Sequence, residues 1–310
     1  MTSSEYETDF YDSLVSMWLI LSGEIMKKIV VLAKQVPDTA NITGQAMKED
    51  GTVNRGKLPA IFNPEDLNGL QMALDIKSKI GAEVHVVTMG PPRAVEILKH
   101  SLYLGADKVY LVSDMKFAGA DTLATSYVLS EAVKKIGNVD MVIAGRQAID
   151  GDTAQVGPQV ADKVGFNQIT YVSKLNDVTE DYVIVERDGE VQTEEIKSQF
   201  PVLLTVTEEA NTPGYPSCVQ MRNYFKAEIA ANIPAEELEN AEANGLVIPV
   251  FNAENMGLNI EQCGLGGSPT KVKKIKSITL VGGDLEMFEA DDSGIKLLIN
   301  DIMKEYTEAN

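Results

Sequence analysis

Residues 145–157 have the sequence Gly145-Arg146-Gln147-Ala148-Ile149-Asp150-Gly151-Asp152-Thr153-Ala154-Gln155-Val156-Gly157. The run before it, Val-Asp-Met-Val-Ile-Ala at 139–144, has the apolar character of a buried strand. Residues 158–165 after it are typical of a helix that ends at a glycine. The stretch is therefore predicted to be a loop from the carboxyl end of a strand to the start of a helix, where open parallel sheets bind ligands.

The composition of this loop favours a polar ligand. Gly151 and Gly157 allow backbone N–H groups to approach a ligand closely. The side-chain donors are Arg146, Gln147, Thr153 and Gln155. Such a loop suits a ligand with phosphate, ribose or a ring with imide edges. The alternative is a strand-to-helix turn whose polar residues only cap the helix, which is common in α/β domains.

Strands and helices alternate through the first half of the chain. Apolar runs predict strands at 28–33, 83–88, 108–112 and 139–144. Helices are predicted between them, each ending at a glycine, and the first begins at Asn63-Pro64-Glu65-Asp66 with Asn63 as a cap. This order with short connections predicts an α/β fold with a doubly wound parallel sheet.

The pattern changes after residue 165. Alternating apolar and polar residues predict half-exposed antiparallel strands, a small antiparallel addition with a hairpin turn at Gly189. These strands are expected at 168–172, 181–187 and 191–196, before a buried strand at 201–206. Residues 219–230 suggest a helix with exposed Tyr224 and Phe225. Residues 232–275 lack a core pattern, which suggests an arm lying on another protein, and 284–306 end in a helix.

A second strand-to-helix loop, Asp121-Thr122-Leu123-Ala124-Thr125-Ser126, also indicates a binding site. Thr122 and Thr125 would present hydroxyls beside free N–H groups at a positive helix end, an arrangement that binds phosphate without a P-loop. The alternative is that Asp121 or Thr122 only caps the helix. Lys34, Asn63 and Met89-Gly90, the last directly after Thr88, come off nearby edges and are expected to converge on the same crevice.

Composition excludes several classes of function. The chain has 46 acidic and 27 basic residues and a net charge of −19, which repels nucleic acid and anionic membranes. Its two cysteines, without a Cys-x-x-Cys pair, form neither a disulfide framework nor a zinc or iron–sulfur ligand set. Two histidines argue against a histidine metal site or a Ser-His-Asp triad. The cysteine usage suggests an intracellular, cytoplasmic protein.

The sequence contains no catalytic apparatus: neither a nucleophile–base pair nor a pair of carboxylates with a reason to share a site. The chemistry would then belong to a bound cofactor, oriented by the protein. For a flavin, Arg146 near the ring would stabilise the anionic reduced form. The glycine-rich stretch 264–267 follows no strand, and we interpret it as a turn before a helix that starts at Ser268-Pro269.

The first 25 residues are unlike the rest. They are polar and acidic, then apolar from 14 to 21, a segment too short to span a bilayer. We interpret residues 1–25 as a disordered N-terminal extension, with a second beginning at Met26.

Several short pieces occur together and in order, and as a set they resemble the β (small) subunit of electron transfer flavoproteins. The pieces are Lys34-Gln35-Val36-Pro37-Asp38, Asn63-Pro64, Met89-Gly90-Pro91, Gly105-Ala106-Asp107, Ala120-Asp121-Thr122, Gly145-Arg146-Gln147-Ala148-Ile149-Asp150, and Pro201-Val202-Leu203-Leu204-Thr205 after Glu194-Glu195. The resemblance covers residues 27–306. The combination is specific, whereas no single piece is.

The resemblance implies an adenine-nucleotide-binding α/β domain at 26–206. It also implies a partner-docking loop and a C-terminal arm at 207–310 that wraps the α subunit. One kind of family member holds AMP as a structural ligand. The other holds FAD, takes hydride from NADH and divides the electrons between ferredoxin and a flavin in the α subunit. Such a chain is an electron-transfer subunit rather than an enzyme alone.

The 120–122 and 153–157 pieces resemble the FAD-holding, electron-bifurcating kind. By that likeness, Asp121, Thr122 and Thr125 face the pyrophosphate, and 145–157 wraps the nucleotide. Leu32, Asn63, Asp66 and Met89 then line its adenosine or ring side.

The docking loop implied by the resemblance contains Tyr215, Pro216 and Cys218. Here Gly214 stands where the family usually has an arginine before the tyrosine. The partner dehydrogenase is therefore left open between an acyl-CoA type and a lactate type. A third hypothesis is a stand-alone nucleotide-binding regulatory protein, which predicts a monomer with its arm folded on itself.

Overall fold

The computed structural model describes residues 27–38, 58–270 and 287–308. The chain divides into two compact units, residues 1–272 and 273–310. The predictions for residues 1–25 and for the helix after Pro269 fall outside the described residues.

The first unit is built on a nine-stranded sheet with the order β13-β5-β4-β1-β6-β10-β7-β8-β9. Its strands are β1 (Lys28–Ala33), β4 (Glu83–Met89), β5 (Lys108–Val112), β6 (Met141–Gly145), β7 (Asn167–Val178), β8 (Tyr182–Asp188), β9 (Thr193–Gln199), β10 (Val202–Val206) and β13 (Val250–Phe251). Two small pairs accompany it, β2 (Gln35–Pro37) with β3 (Ala60–Phe62), and β11 (Glu228–Ile229) with β12 (Val247–Ile248).

Helices cover both faces of the sheet. They are α1 (Pro64–Ile80), α2 (Val95–Leu104), α3 (Thr122–Ile136), α4 (Val156–Val164), α5 (Cys218–Tyr224) and α6 (Ala235–Ala243). Successive residues of a strand point to opposite faces. Val31 accordingly belongs to the apolar core that contains Leu70 of α1, and Val30 to the core that contains Val128 of α3. The doubly wound parallel sheet with a small antiparallel addition is confirmed.

Strand β7 differs from the prediction. It was expected to be antiparallel, but its first half pairs in parallel with β10, and only the residues from Val172 onward pair antiparallel with β8. The register against β10 shifts between Leu204 and Val206, so the strand is irregular at that point. One long strand therefore joins the parallel sheet to the β8–β9 hairpin, because its two halves pair with different neighbours.

The segment after β10 also differs from the prediction. Residues 232–275 were expected to lie on another protein, yet Phe251, Ala253, Leu258 and Cys263 are buried in the core on the α3 side of the sheet. Strand β13 pairs in parallel with β5 at the sheet edge. The sequence pattern missed this because the buried residues lie in short elements without periodicity.

Helix α5 is shorter than the helix predicted at 219–230. Its Phe225 neighbour is exposed, but Tyr224 packs partly against the core, so the two do not form an exposed aromatic pair.

The second unit contains helix α7 (Asp292–Glu308), which confirms the predicted C-terminal helix. Its large apolar side chains are exposed within the described residues. They are Ile295, Leu297, Leu298, Ile299, Ile302 and Met303. Among the described residues, no helix combines the length and the apolar character needed to cross a membrane.

Candidate functional site

The parallel strands end together along one edge of the sheet, here called the carboxyl edge. Ala33 lies beside Thr88, Met89 beside Val112, and Gly145 beside Val206. The loops that follow these strands therefore lie next to one another. This edge gathers the segments that the sequence predicted to form a binding site.

The start of α1 holds the 145–149 segment from inside the fold. Asn63 is 0% exposed; its Nδ2 donates to the Gln147 carbonyl (2.9 Å) and its Oδ1 accepts from Ile149 N (3.1 Å). The side chain of Asn63 does not cap α1, contrary to the prediction, because its amide bonds the backbone of the loop instead. Asn63 therefore shapes the loop rather than presenting a side chain on its surface.

Asp66 has a similar role one turn later. Its Oδ1 accepts from Gly145 N (2.9 Å) and its Oδ2 from Lys34 N (2.8 Å), so one carboxylate joins the ends of β6 and β1. The side chain is buried, and this burial raises the pKa of Asp66 to about 7 although both amide donors lower it.

Arg146 is held by Glu65. Its NH2 lies 2.7 Å from Glu65 Oε1, and the other carboxylate oxygen, Oε2, accepts from Gln147 N (2.7 Å). Burial raises the pKa of Glu65, and the hydrogen bonds from Gln147 and Arg146 offset this only partly. The Arg146 Cζ lies 5.5 Å from the ring centroid of Tyr171. The guanidinium thus has a fixed place at the carboxyl edge.

The tip of the loop has an unusual backbone. Asp152 and Ala154 have φ angles of 49° and 51°, in the left-handed region that non-glycine residues seldom adopt. Lys34 Nζ meets Asp150 Oδ1 at 2.6 Å, and Gln147 Nε2 donates to Asp152 Oδ1 at 3.3 Å. Backbone strain of this kind concentrates in loops that bind ligands.

The N-terminus of α4 follows the loop and has no side-chain cap from Gln155. Instead the Gln155 Oε1 accepts from the Thr122 hydroxyl at 2.9 Å, which joins the two predicted binding loops. Gly157 sits tightly against the sheet, because a Cβ there would lie 2.9 Å from Thr205 Cγ2. Thr153 is exposed beside this helix end.

At the start of α3, Asp121 caps the helix and also forms hydrogen bonds with Thr270. Its Oδ1 accepts from the amides of Leu123 and Ala124 (both 3.0 Å), and its Oδ2 accepts from Thr270 N (3.0 Å) and Oγ1 (2.7 Å). Desolvation opposes the charged form, but these hydrogen bonds outweigh it and lower the pKa of Asp121. Asp121 therefore caps the helix, as the capping alternative predicted. Thr122 donates its hydroxyl to Gln155, and Thr125 is half-buried in the first turn of α3.

Replacing Asp121 with alanine is expected to lower the free energy of unfolding by roughly 1–2 kcal/mol, because α3 loses its N-cap. Urea unfolding measures this change. Thr270→Val is the matched control, since it removes only the hydrogen bond from the Thr270 hydroxyl to Asp121 and leaves the cap intact. If Thr270→Val costs as much as Asp121→Ala, the cap contributes nothing and the expectation is wrong.

The remaining predicted site residues have different surroundings. Leu32 and Thr88 are buried in the fold, and Thr88 Oγ1 has no hydrogen-bond partner among the described residues. Met89 packs partly against the α3-side core, and Gly90 N donates to Val112 O (3.0 Å). Leu32 and Thr88 therefore support the carboxyl edge from below, whereas Met89 and Gly90 are half-buried.

The predicted docking residues Tyr215 and Pro216 precede α5, and Cys218 is its first residue. Tyr215 is 96% exposed and Cys218 is also exposed. Their segment is anchored at both ends, by Gly214 N donating to Gln71 Oε1 (2.8 Å) and Ser217 N donating to Tyr103 O (2.9 Å).

Sequence reasoning missed Glu65, Tyr171 and Thr270 as parts of this region. Glu65 had a signal, because it lies inside the quoted Asn-Pro-Glu-Asp run beside two predicted site residues. Tyr171 had none, since its φ of 59° is not encoded by a tyrosine in an alternating strand pattern.

The donors at the carboxyl edge fit a phosphate-bearing nucleotide. The first turn of α4 has backbone N–H groups at Val156 and Gly157 and no side-chain cap from Gln155. The Thr122 and Thr125 hydroxyls belong to the first turn of α3, and the Arg146 guanidinium lies on the loop before α4. Among the described residues, no group of three or more His, Cys, Asp or Glu could hold a metal ion.

Comparisons with known proteins identify the family of the chain. The model of the electron transfer flavoprotein domain matches residues 50–243. The chain is 42% identical over 257 residues to the caffeyl-CoA reductase-Etf complex subunit CarD of Acetobacterium woodii, covering 83% of this chain and 90% of that protein.

Two further relatives carry the subunit name directly. The electron transfer flavoprotein subunit beta of Clostridium acetobutylicum is 42% identical, over 79% of this chain and 86% of its own length. That of Megasphaera elsdenii is 37% identical, over 90% and 97% respectively. The chain belongs to the electron transfer flavoprotein family, as a β subunit with a role in electron transfer.

Proposed function

We propose that the chain is the FAD-holding β subunit of an electron-bifurcating flavoprotein. In this role it takes hydride from NADH and passes electrons to ferredoxin and, through the α-subunit flavin, to a partner flavin dehydrogenase. The observation that carries the proposal is the concentration of anion-binding donors at the carboxyl edge, around the N-terminus of α4, where Gln155 makes no side-chain cap hydrogen bond. The similarity to a subunit of a reductase–flavoprotein complex supports it.

The residues of this chain would bind and orient the cofactor. We assign the pyrophosphate to the free N–H groups of α4 and to the hydroxyls of Thr122 and Thr125. Asn63 and Asp66 fix the backbone of the loop that wraps the nucleotide, through the contacts at Gln147, Ile149 and Gly145. The bound flavin supplies the redox chemistry, in accepting two electrons and releasing them singly.

Partner contacts are assigned to two surfaces. We place the dehydrogenase, of the acyl-CoA or lactate type, at the exposed Tyr215 loop with Pro216 and Cys218. Because residues 247–268 pack on their own domain, we place the arm that contacts the α subunit in α7, whose apolar side chains are exposed. Such side chains favour burial against a partner.

The first test is the cofactor content of the co-expressed αβ complex. Denatured samples are separated by chromatography, and flavin and adenine nucleotides are counted per heterodimer. Two FAD molecules support the proposal. One FAD and one AMP support the alternative, in which the chain holds AMP as a structural ligand and carries electrons without bifurcation. A nucleotide-free complex contradicts both.

Replacing Arg146 with alanine is expected to lower the reduction potential of the β-subunit flavin, because a nearby cation stabilises the anionic reduced form. A change on the order of 30 mV corresponds to about 1.4 kcal/mol for two electrons. Spectroelectrochemical titration of the complex measures it. Arg222→Ala, which removes an equal charge from the exposed α5 surface, should leave the potential unchanged. An unaltered potential in Arg146→Ala would refute this role.

A further inference from the structure

Tyr171 has a backbone conformation that its residue type disfavours. Its φ is 59°, in the left-handed region, where a bulky aromatic residue is a rare outlier. Its amide donates to the Thr205 hydroxyl at 3.2 Å, at the point where the register between β7 and β10 shifts. Strained backbone conformations persist where the surrounding packing and hydrogen bonds stabilise them, and they cluster at functional sites.

The strained backbone places the Tyr171 ring at the carboxyl edge. The side chain is 40% exposed, and its ring centroid lies 5.5 Å from Arg146 Cζ, within the range of a cation–π contact. An extended tyrosine would continue the alternation of the strand and point elsewhere.

Arg146 therefore has two side-chain contacts. Its Nη2 lies 2.7 Å from Glu65 Oε1, and its Cζ lies 5.5 Å from the ring centroid of Tyr171. The backbone of Arg146 is fixed as well, since its amide donates to Val206 O at 2.9 Å. The Arg146 Nε is buried and has no hydrogen-bond partner among the described residues. A contact with an aromatic ring can restrain a guanidinium without engaging its N–H donors.

We propose that Tyr171 is a positioning residue, which fixes the guanidinium of Arg146 beside the cofactor and thereby sets the reduction potential of the flavin. This inference rests on the proposed function, and it adds a residue outside the 145–157 loop that contacts the side chain of Arg146. The electrostatic effect of a cation falls with distance, so a mobile guanidinium stabilises a reduced flavin less than a fixed one. The aromatic ring carries the role, and the hydroxyl is dispensable.

The variants separate the ring, the hydroxyl and the strain. Tyr171→Phe keeps the ring, Tyr171→Ala removes it, and Tyr171→Gly removes it while also relieving the left-handed backbone. In the αβ complex, the Ala and Gly variants should lower the flavin potential in the same direction as Arg146→Ala, and Phe should match the parent protein. Adding Tyr171→Ala to Arg146→Ala should give no further shift, because the ring acts only through the guanidinium.

A second readout does not depend on flavin. In the full isolated chain, the Arg146 Nε–H signal is identified by its loss in Arg146→Ala, and its hydrogen exchange with solvent is measured by NMR. Tyr171→Ala and Tyr171→Gly should each speed this exchange severalfold, and Tyr171→Phe should not.

The outcomes distinguish this inference from the function on which it rests. If the complex holds flavin and Arg146→Ala shifts its potential while the Ala and Gly variants at Tyr171 do not, the positioning role is overturned and the proposed function stands. Unchanged Arg146 exchange in both variants also overturns it. If the parent complex holds no FAD in the β subunit, the proposed function fails, whatever the exchange experiment shows.

Discussion

Replacing Gly145 with alanine is expected to lower the free energy of unfolding by about 3 kcal/mol, an effect at the upper end for overpacking a tight site. A Cβ at this position would lie 2.5 Å from Asp66 Oδ1, 2.7 Å from Asp66 N and 2.8 Å from the carbonyl carbon of Glu65. Two of these three atoms belong to backbone, so a rotamer change cannot relieve the clash. The end of β6 and the start of α1 must move apart, and the hydrogen bond from Gly145 N to Asp66 is lost with them.

Urea unfolding of the full chain measures the loss, and the flavin content of the co-purified complex measures its consequence for the site. Gly151→Ala is the matched control within the same loop, because a Cβ there meets no atom of the described residues within 4 Å. It should change the stability by no more than about 0.5 kcal/mol. If the two variants have equal stability, the tight packing at Gly145 does not exist.

The stability advantage of the parent protein over Asp66→Asn is expected to shrink as the pH rises from about 4 to about 7. The pKa of Asp66 is raised from 3.8 to about 7, chiefly by burial. Between these values the folded state holds a proton that the unfolded state has released. Rising pH therefore favours the unfolded state and lowers the free energy of unfolding. At about 1.4 kcal/mol per pH unit, the change is on the order of 4 kcal/mol, and the curve flattens above pH 7.

The difference between the two proteins isolates this group, because all other titrations cancel when both are unfolded at each pH. Asp114→Asn is the control of opposite sign. Its hydrogen bond from Lys116 N, together with one from Ala253 N, lowers the pKa of Asp114, so its stabilisation is lost only at lower pH. Its difference curve should be flat between pH 4 and pH 7. If the difference in unfolding free energy between the parent and Asp66→Asn grows with pH, the hydrogen bonds from the two amides lower the pKa of Asp66 more than burial raises it.

The parallel part of the fold followed from local pattern. Strands β1, β4 and β5 begin at the predicted residues, because a central parallel strand is apolar on both faces and its helix ends at a glycine. Strand β13 was not predicted, because two residues are too few to show an alternating pattern. They are recognised as a strand only by their pairing with β5. The first half of β7 was predicted to pair antiparallel, but it pairs in parallel with β10. Alternating apolar and polar residues indicate that one face of a strand is exposed, and they do not show the direction of the neighbouring strand.

The candidate site was predictable in position but not in the function of each residue. Asn63 was expected to cap a helix, and its amide instead bonds the backbone of the 147–149 segment from inside the fold. Asp121 was expected to face a phosphate, and its two oxygens are occupied by α3 amides and by Thr270. In both cases the sequence showed that the side chain can form hydrogen bonds. Its actual partner is distant in sequence, so only the fold determined which hydrogen bonds it makes.

The sequence by itself determined the alternation of strands and helices, the edge at which the polar loops meet, and the family to which the chain belongs. These properties depend on periodicity, glycine placement and short motifs, which act over a few neighbouring residues. Only the tertiary structure decided that Asp66 would be buried between two strand ends and that Tyr171 would turn its ring towards Arg146. Such features arise when segments far apart in sequence compete for the same space and the same donors, and the strain at Tyr171 is tolerated because the surrounding packing compensates for it.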